Sequence, residues 1–250
     1  IVMRLVGSEM CIRDSLSPRL AQFFSDYENT MLLDKDEIDP QTITPYMDPN
    51  LQVRENLLAL VLRMDAAGML TTVRQIRGLI SMFTVVKKVV PGEPMVQRLI
   101  FDERLENTQW KRPPWCSLGA AHHFAHIDVS EEVKQGYRVR GATGDVPDYY
   151  YRMHLPNRMA EHFCIPDLTY DQLAEYALQM GHTLNCQPVP AGPGQILYVA
   201  VAAMVMGWSW SVYIAQTMLE DLLFNKAVWL TRQQQLSHHT AVPQLTPTQP

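Results

Sequence analysis

The chain has 250 residues, 47% hydrophobic and 19% charged, with a formal net charge of −5. This length and composition suit a globular protein with a sizeable core and exclude collagen-like or low-complexity chains. The acidic total makes no demand for nucleic acid, although a total hides local patches. Four scattered cysteines (Cys11, Cys116, Cys164, Cys186) without a CxxC pair suit a reducing, intracellular setting.

The opening, IVMRLVGSEMCIRDS, has no amphipathic period and no signal-peptide layout. Its VGSEMCIRDS portion resembles a peptide that recurs where adapter sequence is translated as coding. Residues 1–15 are therefore set apart as adapter-derived or disordered. A brief helix is expected at Leu20–Tyr27. Across Gln52–Met69, Leu57, Leu58, Val61, Leu62 and Met69 recur near helical spacing, with Gly68 as a stop signal. A second helix is expected over Thr72–Met82.

The texture then changes. FTVVKKVV and MVQRLIFDER are β-rich runs on either side of PGEP. They predict an antiparallel hairpin of Thr84–Val90 and Met95–Glu103, turned at Pro91–Pro94. Lys87 and Lys88 lie before the turn and Arg98 after it, which can grip a polyanion such as a triphosphate. The same lysines would also protect an edge strand. Farther on, a helix is expected at Ala120–Gln135, a strand in GYRVRGATGDV and a helix over 171–182. Helices, then a hairpin, then mixed strands and helices give the class α+β.

From Ala191 to Leu219 no residue is charged, and a run that long is also the cue for a membrane span. Ile196–Met206, however, is rich in β-branched residues and reads as a buried strand, with Trp208–Leu223 as a helix and Gly207 at their junction. No basic cluster flanks the run, so no membrane contact is expected. Asp145 and Asp148, three apart after a β-like run, suit either a Mg²⁺ ligand or a surface turn. His122 and His126 have a zinc-compatible spacing but no third ligand in pattern. His162, Cys164, His182 and Cys186 fit no finger spacing.

Three segments, in order, resemble reverse transcriptases. RLIFDERLEN fits their fingers pattern R-x-x-x-D-x-R-x-x-N at Arg98, Asp102, Arg104 and Asn107. DVPDYYYRMHLP resembles their motif A, and MGWSWSVYIAQ their motif B. The likeness spans about Leu57 to Leu223. It implies a right-hand polymerase: fingers over 16–118, palm with motif A over 119–156, a fingers/palm connection over 157–205, and the motif B helix with a polar tail over 206–250.

The resemblance also assigns roles. Asp145 would be the catalytic carboxylate holding Mg²⁺. Asp148 would turn its backbone N–H toward the incoming triphosphate, and Tyr150 would be the aromatic gate beneath the sugar. Arg98, with Lys87 or Lys88, would hold the triphosphate. Gly207 and Trp208 would face template-primer or nucleotide, and Gln216 would support the motif B helix. The implied partners are an RNA or DNA template-primer and deoxynucleoside triphosphates. Met206 and Val212 depart from the usual Gln and Pro of motif B, and no Tyr-x-Asp-Asp of motif C follows Gln216. A fragment of fingers and partial palm without a thumb, inactive alone, is therefore expected. The alternatives are a repurposed or decayed relative that binds nucleic acid without chemistry, and a small membrane protein.

Overall fold

The computed structural model describes residues 10–11, 17–38, 43–89, 91–92, 95–119, 121–138, 145–226 and 231–236. The fold is mixed α and β with small sheets. It divides into two compact units, residues 1–113 with 148–211 and residues 114–147 with 212–250.

The first unit is organised by a strand drawn from the uncharged run. Strands β1 (Met10–Cys11), β2 (Leu70–Val73), β3 (Ser81–Lys88), β4 (Val96–Asp102), β5 (Met153–His154), β6 (Cys164–Thr169) and β7 (Tyr198–Val201) form three sheets. β7 is central in an antiparallel β2-β7-β6 sheet, with Leu70 opposite Val201 and Cys164 opposite Ala200. A central strand covered on both faces needs apolar side chains on both, and Val199, Ala200 and Val201 are fully buried. The chain then turns at Met206–Gly207, and a helix begins only at Ser211. Among the described residues no helix is long and apolar enough to cross a membrane.

Four longer helices are α1 (Pro18–Ser25), α2 (Arg54–Ala66), α3 (Tyr170–Gln179) and α4 (Ser211–Asp221). α2 buries Leu57, Leu58, Val61 and Leu62, as their spacing predicts, and ends before Gly68 at φ +68°. α3 starts in a capping box. The Gln172 backbone N–H donates to Thr169 Oγ1 at 3.3 Å, and the Thr169 N–H donates to Gln172 Oε1 at 3.0 Å.

The helix expected over Thr72–Met82 does not form. Thr71, Thr72 and Val73 are instead ladder partners of Ala200, Val199 and Tyr198, and β3 begins at Ser81. Three β-branched or apolar residues beside an open strand edge gain more from pairing than from a helical turn. Within the segment set apart at the N-terminus, Met10 and Cys11 pair in parallel with Met153 and His154.

In the second unit, the expected helix 120–135 is broken into Ala121–Phe124 and Ser130–Lys134. The Asp128 carboxylate accepts the Ser130 backbone N–H at 2.9 Å, a local bond that restarts the chain instead of continuing the helix. α4 runs into a π-helical turn at Leu222–Lys226. Its Glu220 accepts hydrogen bonds from Gln216 (2.8 Å), Gln235 (2.9 Å) and Arg232 (2.8 Å). Residues 139–144 of the expected GYRVRGATGDV strand lie outside the described residues.

Candidate functional site

The sequence signals converge on strand β4. Ser81–Lys88 and Val96–Asp102 form the expected antiparallel ribbon, with Val85 opposite Arg98 and a register shift between Val86 and Lys88. Gly92 at the turn has φ +83°, and residues 90, 93 and 94 lie outside the described residues. Lys87 and Arg98 are exposed along the ribbon, among exposed Val85, Val86 and Val89.

From Leu99 onward β4 turns inward and collects partners from distant sequence. Leu99 and Phe101 are buried. The buried Tyr151 hydroxyl donates to the Leu99 carbonyl at 2.8 Å, and its ring meets Phe101 edge-on at 6.3 Å. Burial pushes this phenol up to about 12; Asp148 adds to the rise and Arg98 opposes it. Arg98, Asp148 and Tyr151 thus share one neighbourhood. Asp148 itself is left-handed at φ 53° and leads into the 3₁₀ turn Tyr149–Arg152. Asp is among the few residues that tolerate this conformation.

At the strand's end, Asp102 accepts from the Tyr46 N–H (2.7 Å) and from Arg104 through Nε (2.8 Å) and an Nη (2.6 Å). The Arg104 bonds hold its carboxyl down at about 2, against the opposing effect of burial. The next acid is different in kind. Glu103 is 1% exposed, and neither carboxylate oxygen has a partner among the described residues. Burial, with Glu106 and then Asp102 adding repulsion, pushes it well above its ordinary value. Glu106 is also buried and raised by burial, partly offset by His162, whose Nδ1 lies 3.6 Å away.

The Gly207 turn closes onto this strand. Asn107 donates to the Gly207 carbonyl at 2.9 Å and accepts from the Ser209 N–H at 2.8 Å, so one side chain holds both ends of the turn. Ser211 Oγ donates to the Val205 carbonyl at 2.6 Å. Gly207 has φ +118°, and a Cβ there would stand 2.6 Å from the Phe101 carbonyl oxygen, so only glycine fits. Tyr46, Phe83, Phe101, Asp102, Glu103, Arg104 and Gly207 line an open cleft of about 270 Å³.

Of the residues singled out from sequence, Lys87, Lys88, Arg98, Asp148, Tyr150, Gly207 and Trp208 belong to the first unit, and Asp145 and Gln216 to the second. Asp145 is exposed in irregular chain, with residues 139–144 before it outside the described residues. Tyr150 is half-buried beside Tyr149. Trp208, expected to face template or nucleotide, is 2% exposed and packs on Trp110 (4.9 Å) and Phe163 (5.3 Å). Its indole is a core element, because so large a ring gains more from that aromatic cluster than from the cleft rim. Gln216 bonds within its own helix to Glu220, four residues on.

Among the described residues, no three His, Cys, Asp or Glu side chains come close enough to hold a metal ion. Asp145 alone offers too few oxygens for a two-ion site. Three residues that matter geometrically carried no assigned role in the sequence: Asn107, Tyr151 and Tyr46. Asn107 carries a signal as the last position of the fingers pattern, and Tyr151 as part of the motif A-like segment. The chain matches no family model and no curated protein.

Proposed function

We propose that the chain is a piece of a retroelement-type RNA-directed DNA polymerase, carrying fingers and part of a palm. Its partners would be an RNA or DNA template-primer and deoxynucleoside triphosphates. The observation that carries the reading is the Asn107 clamp. Asn107 closes the fingers-like segment and Gly207 opens the motif B-like segment, about a hundred residues later. The two segments stand apart in sequence, and Asn107 joins them by donating to the Gly207 carbonyl and accepting from the Ser209 N–H. The motif A-like tyrosines join the same strand through Tyr151.

In this reading the ribbon with Lys87, Lys88 and Arg98 supplies positive charge for phosphates, and the Gly207 turn brings bare backbone to the cleft. Exposed cations on a ribbon grip phosphate oxygens without reading sequence. Asp145 is the carboxylate that the resemblance assigns to Mg²⁺. Alone it completes no two-ion site, so the 250 residues should bind without adding nucleotides.

The test is a titration of a fluorescent RNA–DNA template-primer with the purified chain, followed by a primer-extension assay. Binding that weakens steeply with salt, with no extension, is expected. A net charge of −5 offers little non-specific attraction, so failure to bind even at low salt would overturn the proposal.

A further inference from the structure

Among the described residues, Glu103 is the buried acid of the first unit whose two carboxylate oxygens both lack a hydrogen-bond partner. Its side chain is packed beneath the Gly207 turn, since a Cβ on Gly207 would lie 3.5 Å from Glu103 Cγ. Both its oxygens are sealed from solvent and have no partner among the described residues. The ionisable groups that act on it are acids. Asp102 adjoins it with a charge committed to Arg104 and the Tyr46 N–H, and Glu106 follows on the 3₁₀ turn Glu106–Gln109. Behind Glu106, His162 of the loop before β6 addresses Glu106. A carboxylate in that position would be an unpaired buried charge between two acids, so the site favours the neutral, protonated form.

We propose that Glu103 is a proton-operated latch for the Gly207 turn: protonated, it fills the wall under the turn as a neutral group, and losing the proton opens the turn. On ionisation the proton leaves to solvent and the new charge requires water. Water reaches it most readily through the cleft, by displacing the 206–209 turn that Asn107 holds. The cleft would thus be closed at low pH and loosened as pH rises. This holds whether or not the chain binds nucleic acid.

A carboxyl whose folded value lies above its ordinary 4.5 stabilises the closed form fully below that pH. That stability is lost progressively as pH rises toward the folded value.

The experiment is amide hydrogen exchange on the full chain from pH 5 to pH 9, corrected for intrinsic exchange, in wild type and Glu103→Gln. In wild type the opening constant of amides 206–209 should rise up to about tenfold per pH unit, the slope of one released proton. It should stay flat in the variant, and amides of Tyr198–Val201 should show no such rise in either. Equal slopes in the two proteins, or a matching rise at Tyr198–Val201, would overturn the latch. Should Glu103→Gln fail to fold, the carbon-13 shift of the wild-type Glu103 carboxyl decides. A titration near 4.5 would refute the latch, and one displaced upward supports it.

Discussion

The β2-β7-β6 sheet and the base of the β3-β4 hairpin are both buried, but they treat polar groups in opposite ways. In the sheet, Val199, Ala200 and Val201 are sealed, and the polar groups nearby are paired. Thr72 Oγ1 donates to the Gln187 carbonyl at 3.1 Å and accepts from the Val189 N–H at 2.8 Å. Asp65 accepts the Asn185 and Cys186 N–H groups at 2.7 and 2.8 Å. At the hairpin base and the Gly207 turn, Glu103, Trp208 and Ser209 have buried polar atoms without partners among the described residues. Unpaired buried polar atoms destabilise, so a region that keeps several is not optimised for stability alone. The difference sets a scaffold apart from a candidate site.

The largest effect is expected from a site-like group placed in the scaffold. Ala200→Asp would bury an unpaired charge in the central strand, at several kcal/mol against a total of about 5–15 kcal/mol. Loss of a cooperative thermal transition by circular dichroism is the expected result. At the site, Gly207→Ala should destabilise by about 2–3 kcal/mol, combining a left-handed backbone with the clash at the Phe101 carbonyl. Gly92→Ala is the control, because Gly92 shares a positive φ but a Cβ there would meet nothing within 4 Å. It should lose about 1 kcal/mol.

Asp102 sharpens the contrast with Glu103 through pH. Its folded value, about 2, lies below its ordinary 3.8. Its contribution is therefore present above about pH 4 and lost as pH falls through 2. Asp102→Asn should flatten that acid limb and remove about 1 kcal/mol near neutral pH, since its exposed partner Arg104 leaves the pair screened, measured by urea unfolding from pH 2 to 7. Glu103 should act with the opposite slope at higher pH. A comparably small effect is expected of Tyr151→Phe, which deletes one hydrogen bond to Leu99 but keeps the ring against Phe101. About 1 kcal/mol is expected in the same unfolding assay.

Local pattern was the part of the fold legible in sequence. The hairpin, α2, α3 and the strand–glycine–helix order of the uncharged run all rest on spacing and turn residues, which act within a few positions. Thr72–Met82 was misread because its apolar spacing fits a helix, while its partner Tyr198–Val201 lies more than a hundred residues away. The site was legible only as separate segments. That Asn107 would reach Gly207 and Ser209, or that Tyr151 and not Tyr150 would anchor to Leu99, depends on tertiary contacts that no local pattern encodes. Trp208 was misplaced for a related reason: its aromatic partners Trp110 and Phe163 are distant in the chain.

The proposed template-primer surface consists of the hairpin and the Gly207 turn. Photo-cross-linking tests it directly, using an RNA template strand carrying 4-thiouridine at successive positions near the primer end, followed by peptide mapping. Adducts are expected on residues 83–104 and 206–209, and they should be lost in high salt with the binding. Adducts confined to α2, α3 or the second unit, or none at all under conditions where binding is saturated, would contradict the claim.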